Sequence, residues 1–212
     1  MATKVLVVAP HPDDESIGCG GTICLHRRRG DRVHAVFLTS GERGMRGLPE
    51  ETARSVREAE AQRAAAVLGL ERTDFMRLPD LELCEAVEAG AERLRVLLKA
   101  WPPDLVYLPH PEEAHPDHRA CLSIVRRALD QLADGEGPAE LRLYEVWSPM
   151  ASYGWPEDIS SFMRRKLRAV RCYRSQLDVF RYDRAVHGLN QYRGALMADC
   201  RFAEVFQYAE PR

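Results

Sequence analysis

The run Lys4-Val5-Leu6-Val7-Val8 leads directly into Ala9-Pro10-His11-Pro12-Asp13-Asp14-Glu15. The first part is apolar and β-branched, and reads as a buried parallel strand. The second sets one imidazole and three carboxylates just past that strand's carboxyl end. In open α/β sheets the crevice beyond the strand carboxyl ends is where ligands bind. Acids crowded there repel one another unless something positive joins them, and a divalent metal is the simplest answer.

The rest of the chain alternates strand-like and helix-like segments. A helix is predicted over Gly20 to Arg29 with Gly30-Asp31 as its exit, then a strand over Val33 to Leu38. Gly41 to Gly47 is glycine-rich and polar and reads as a loop at the same sheet end. A long helix over Thr52 to Leu68 closes at Gly69. Phe75 to Leu78 reads as a short strand before a Pro79-Asp80 turn, and Val87 to Lys99 as an amphipathic helix. Asp104 to Leu108 gives another strand, and Pro109 starts a second polar loop. A helix follows over His118 to Leu132, a turn over Asp134 to Pro138, and a strand over Leu141 to Trp147. A last helix spans about Ile159 to Val170, ahead of a polar segment with Tyr173, Tyr182 and Asn190. This alternation predicts an α/β, Rossmann-like, mostly parallel sheet with helices on both faces and the active site at the strand carboxyl ends. No linker divides it, so residues 1–212 are expected to form a single domain.

Composition narrows the functions. At 45% hydrophobic and 29% charged, 212 residues can bury a sizeable core. A net charge of −2 and a pI near 6.4 leave no electrostatic footprint for nucleic acid or an anionic membrane. The short basic clusters His26 to Arg29 and Arg164 to Lys166 read as solvated helix faces. None of the six cysteines forms a C-x-x-C pair, which fits buried free thiols in a reducing compartment. No targeting or membrane-spanning run is expected, and the predicted location is cytoplasmic.

A second motif, His115-Pro116-Asp117-His118, lies in the loop after the Val106 strand. Pro116 suits the first turn of a helix and Asp117 favours its positive end. The two histidines, three apart, can converge on one side of a helical turn. Either motif alone would pass for capping residues and loop polars. With both at strand carboxyl ends, they supply oxygen and nitrogen donors without a thiolate, the set common in catalytic zinc sites. Gly18, Gly20 and Gly21 after the first strand invite a dinucleotide-binding reading, but the full G-x-G-x-x-G spacing is absent and the acids would repel a pyrophosphate. A two-metal phosphoesterase would need bridging carboxylates, for which Glu15 and Glu42 are the candidates.

The chain resembles the PIG-L/LmbE family of zinc-dependent deacetylases, which act mainly on N-acetylglucosaminyl groups and related amides. The resemblance rests on A-P-H-P-D-D-E with Gly18-Cys19-Gly20-Gly21-Thr22, and on H-P-D-H. Supporting segments are Leu38-Thr39-Ser40-Gly41-Glu42, Arg57-Glu58-Ala59-Glu60, Leu68-Gly69, Gly188-Leu189-Asn190 and Tyr208-Ala209-Glu210, so it spans nearly the whole chain. It implies a small N-acetylated glycoside or amide as substrate, and Zn2+ on His11, Asp14 and His118. The same donors also suit Fe2+. It further implies Asp13 as general base and His115 as an imidazolium that stabilises the oxyanion or protonates the leaving amine. Asp117 is expected to pair with His115 and raise its pKa. Arg57 and Asp80 match substrate-binding positions; the plainer roles are a salt bridge to Glu60 and a turn after Pro79. Relatives often assemble as hexamers, so a homo-oligomer is the expectation by analogy. A non-catalytic sugar- or metal-binding module would be expected to lack the base, and Asp13 is present. Members acting on thiol-precursor glycosides carry a carbonyl-polarising tyrosine two residues before the H-x-x-H motif; here that position is Glu113.

Overall fold

Alternate residues of one strand, Lys4–Ala9 (β1), go to opposite sides of a sheet, as strand geometry dictates. The computed structural model describes residues 2–133 and 136–211. Leu6 and Val8 pack under the helices Val87–Ala100 (α3) and Pro116–Asp130 (α4), against residues such as Leu94 and Ile124. Val5 and Val7 pack on the other face with Ile23, Ala64 and Leu68 of Asp14–Arg29 (α1) and Glu50–Leu68 (α2). Two buried layers therefore cover the predicted parallel sheet.

Among the described residues the sheet has seven strands in the order β3-β2-β1-β4-β5-β7-β6. β2 is Arg32–Phe37, β3 Arg72–Phe75, β4 Leu105–Pro109 and β5 Glu140–Tyr144; all are parallel to β1. β7 (Ala203–Ala209) and β6 (Trp155–Asp158) are antiparallel additions at one edge. The chain lays down β2 and β3 on one side of β1, then β4 and β5 on the other. The order reverses between β1 and β4, and a crevice opens at their carboxyl ends. The loops carrying the two sequence motifs leave the sheet there.

Several boundaries differ from expectation. β3 covers Arg72–Phe75 rather than 75–78, because an edge strand pairs on one side only and tolerates Arg72 and Asp74. β5 stops at Tyr144, and the turn expected over Asp134 to Pro138 lies partly outside the described residues. The polar C-terminal segment is largely structured: Met163–Val170 (α5) is followed by Arg174–Leu177 (α6), Tyr182–Arg193 (α7) and β7.

α1 begins at Asp14, six residues earlier than predicted, and contains the glycines. A side chain at Gly18 would overlap the Tyr144 ring, and one at Gly21 would overlap Ile159. The glycines thus serve close packing of α1 against the sheet and the segment before α5, which removes the dinucleotide-binding reading. The helix kinks at Cys19 (φ −136°), and the freed N–H groups of Gly21 and Thr22 each donate to the Glu204 carboxylate at 2.8 Å. Lys166 Nζ meets the same carboxylate at 2.6 Å and is fully buried, contrary to the solvated basic face expected for it. All six cysteines are free; Cys19, Cys24 and Cys121 are buried and Cys84 is exposed. No helix among the described residues is long and apolar enough to cross a membrane.

Removing one member of a buried ion pair leaves the other charge desolvated and uncompensated. Lys166→Met is therefore expected to lower unfolding stability by about 3–5 kcal/mol, read as a shift of the urea midpoint.

Candidate active site

The loop after β1 is short and strained. Asp13 has φ 129°, a region that a residue with a Cβ rarely adopts. It is braced from below by Glu15, whose buried carboxylate accepts the Asp13 N–H at 3.2 Å, the Tyr173 hydroxyl at 2.7 Å and the Ser16 hydroxyl. The result is that Asp13 and Asp14, adjacent in sequence, face different ways. Asp14 turns back so that its Oδ2 accepts the His11 N–H at 2.9 Å. Asp13 faces the cavity, 3.6 Å from Arg57.

Across the crevice, the chain after β4 enters α4 with His115 as N-cap; its Nδ1 accepts the Asp117 N–H at 3.2 Å. One turn on, His118 points back towards β1. Three donor atoms now meet: His11 Nδ1, Asp14 Oδ2 and His118 Nε2 lie 3.3 Å apart in every pairing. For a cation bound at about 2.0–2.1 Å, tetrahedral edges come to roughly 3.3–3.4 Å. The triangle has the size and the two-imidazole, one-carboxylate chemistry of a catalytic divalent-metal site with an open position. His115 brings a third imidazole within 4.8 Å of those of His11 and His118, and His11, Asp80 and Asp117 form a second loose donor group. The 3.3 Å triangle is the tighter fit.

The surrounding groups hold this triangle from behind. The His11 ring turns its Nε2 to Asp117 Oδ2 at 3.1 Å and Asp80 Oδ1 at 3.3 Å. A carboxylate on the far nitrogen is what fixes the tautomer and orientation of a metal-binding imidazole. Asp117 is itself held by the N–H groups of Leu81 and Leu83. The sequence places Asp117 on His115; its carboxylate instead serves His11, because the first helical turn aims it across the crevice. The His115 pKa is correspondingly lowered, by burial first and then by the neighbouring His11 and His118, rather than raised.

Glu113 is buried and takes no part in the cavity. Its oxygens accept the N–H groups of Val146, Trp147 and Ser148 at 2.6–3.1 Å and approach His118 Nδ1 at 3.4 Å. His110, whose Nε2 lies 3.5 Å from the carboxylate, together with His118 and the Val146 N–H holds its pKa down to about 2 against the burial that would raise it. Burial raises Asp13 to about 7, opposed chiefly by Arg57. Burial also pushes Asp14 up, yet the charges of His118 and His11 hold it well below the carboxylate range.

Arg57 does not pair with Glu60, which instead accepts from Ser175. Its guanidinium donates to the Pro12 carbonyl at 2.6 Å and packs on Gly41, where φ is 62° and a side chain would meet it at 2.8 Å. Asp80 accepts the Arg43 N–H at 2.8 Å as well as facing His11. Neither Glu15 nor Glu42 bridges towards the triangle: Glu15 is engaged with the turn, and Glu42 accepts the Asp80 N–H. Above the triangle opens a cavity of about 690 Å³ whose floor includes His11, Asp13, Asp14 and His115.

Comparison with known proteins gives a family and a shared fold. The family described as PIG-L: GlcNAc-PI de-N-acetylase matches residues 6–129. A probable N-acetyl-alpha-D-glucosaminyl L-malate deacetylase 2 of Bacillus anthracis is 33% identical over 184 residues, covering 81% of this chain and 80% of the relative. The crystal structure of a conserved protein from Thermus thermophilus superposes with a TM-score of 0.86 at 29% identity, covering 99% of this chain and 96% of that one. N,N'-diacetylchitobiose deacetylase from Pyrococcus horikoshii gives 0.85 at 28% identity, over 99% and 85%.

Loss of a carboxylate behind a metal-binding histidine typically weakens metal binding about 10–100-fold. Glu113→Gln should do so here, measured by competition with a chelator. Unchanged metal retention would show that Glu113 serves only the backbone of residues 146–148.

Proposed function

This chain belongs to the PIG-L family, and from that premise we propose that it is a metal-dependent N-deacetylase. It hydrolyses the acetamido group of a small N-acetylated amino sugar. The observation that carries the reading is a 3.3 Å donor triangle with a second, unligated carboxylate, Asp13, beside it. His11, Asp14 and His118 hold the cation, Zn2+ by family analogy, with Fe2+ compatible with the same donors. A divalent cation there supplies Lewis acidity, which lowers the pKa of water and polarises the acyl group.

The protein's own residues do the rest. Asp13 is held off the triangle by its strained turn and takes the proton from the attacking water. Arg57 fixes that carboxylate through its contacts with Asp13 and the Pro12 carbonyl. His115 accepts the Asp117 N–H through Nδ1, so a neutral ring keeps its proton on Nε2. It acts as a hydrogen-bond donor to the charge developing on the acyl oxygen, in place of an imidazolium paired with Asp117. Asp80 and Asp117 orient His11; Asp80 also reaches the cavity, where it accepts a sugar hydroxyl. Glu113 occupies the position of the tyrosine found in some relatives and is sealed away, and His115, on the cavity floor beside the triangle, is the side chain to which we assign a share in polarising the carbonyl.

Acetate release from a panel of N-acetylated glycosides by the metal-loaded protein tests the proposal. Asp13→Ala should retain metal and lose turnover by about 10²–10⁴-fold. His11→Ala and His118→Ala should each lose metal, measured by elemental analysis. A wild-type rate in the first, or wild-type metal content in the other two, would overturn these assignments.

A further inference from the structure

The rim of the cavity differs in character from its floor. Nine large hydrophobic side chains are exposed among the described residues, and five of them line this one cavity: Leu48, Leu81, Trp147, Val179 and Phe180. They arrive on four separate connections: those after β2, β3 and β5, and the one between α6 and α7. No single amphipathic element forces them together. Leu81 is moreover held at φ 67°, an unfavourable conformation for a residue with a Cβ. Concentrated exposed apolar surface of this kind marks a binding site.

The rim is also continuous with the reactive floor. The Trp147 ring lies 5.8 Å from His115 edge-on, and 5.8 Å and 6.1 Å from Phe180 and Tyr182. The ring cluster thus begins at the proposed oxyanion donor and runs outward to solvent. A cavity of about 690 Å³ has the size that holds a whole drug-sized molecule rather than one ring. Rim cations offer little to an anionic partner. Arg43 is already engaged by Glu82 at 2.7 Å and Glu50 at 3.4 Å, which leaves Arg46.

We propose that the substrate is an amphipathic glycoside: its acetamido sugar reaches the floor, and an apolar, aryl-bearing aglycone lies against Trp147, Val179 and Phe180. This rests on the deacetylase reading for the sugar end only. Aromatic faces meeting edge-on or offset would add specificity to the apolar burial.

The test compares metal-loaded protein with N-acetylglucosamine, its phenyl glycosides and its malate glycoside, by calorimetric binding and by acetate release. Phenyl glucoside, which has no acetamide, is compared with glucose by calorimetric binding alone. The phenyl compounds should bind at least tenfold tighter than their parent sugars. Val179→Ser and Phe180→Ser should each reduce that ratio by about tenfold, the effect of uncovering part of one apolar side chain. If a variant does not fold, the wild-type ratios stand alone as the test. Equal affinities, a preference for the malate glycoside, or a phenyl preference unmoved by both variants would overturn the proposal. So would self-association that Phe180→Ser abolishes with no phenyl preference, which would assign the rim to a second copy of the chain. A phenyl preference without acetate release would leave the rim assignment standing and remove the deacetylase reading instead.

Discussion

The site depends on the conformation of one residue. Two adjacent carboxylates would ordinarily share a direction or repel one another, and here they must do different things. The φ of 129° at Asp13 separates them. Such a backbone costs of order 1–3 kcal/mol and persists only where its surroundings over-determine it. Those surroundings are visible: Glu15 takes the Asp13 N–H, Tyr173 and Ser16 hold Glu15, and Arg57 clamps the Pro12 carbonyl. Glu15 is thus neither a ligand nor a base. It is the fixed point against which the turn is bent.

The same logic extends outward to the carboxylates around His11. Asp14 meets one nitrogen of the ring while Asp80 and Asp117 meet the other. Three acids and one imidazole would be a poor arrangement without a cation, and burial makes it worse. The nearest compensation is His118, itself pressed between Asp14 and Glu113. The protein gathers negative charge at a place where the helix N-termini of α1 and α4 converge, and those termini favour anions. A dication joining the triangle completes the balance that the fold prepares.

Much of this was legible from residue order. The strand Val5 to Val8, the adjacent H-P-D-D-E and the distant H-P-D-H announce a parallel sheet with donors at its carboxyl edge, because periodicity and spacing are local properties. The partner of Asp117 was not legible. Sequence neighbourhood suggests His115, whereas the geometry of a helix's first turn aims the side chain across the crevice to His11. Glu204 was equally hidden: its role as a cap for the kink in α1 depends on an antiparallel strand far along the chain. β6 and the true extent of β3 escaped for a related reason. Edge strands pair on one side and need no apolar alternation, so a polar pattern such as Trp155-Pro156-Glu157-Asp158 carries little signal.

Glu113 links the two halves of the cavity. Its Oε1 accepts the N–H groups of Val146 and Trp147, while its Oε2 accepts those of Trp147 and Ser148 and also faces His118 from behind. The ring that opens the apolar rim and the imidazole that closes the donor triangle are therefore positioned by one buried carboxylate. A tyrosine at residue 113 could not do this, because a single hydroxyl cannot accept three backbone N–H groups and still face a histidine. The carboxylate at residue 113 thus ties the backbone that carries the rim's Trp147 to an imidazole of the donor triangle.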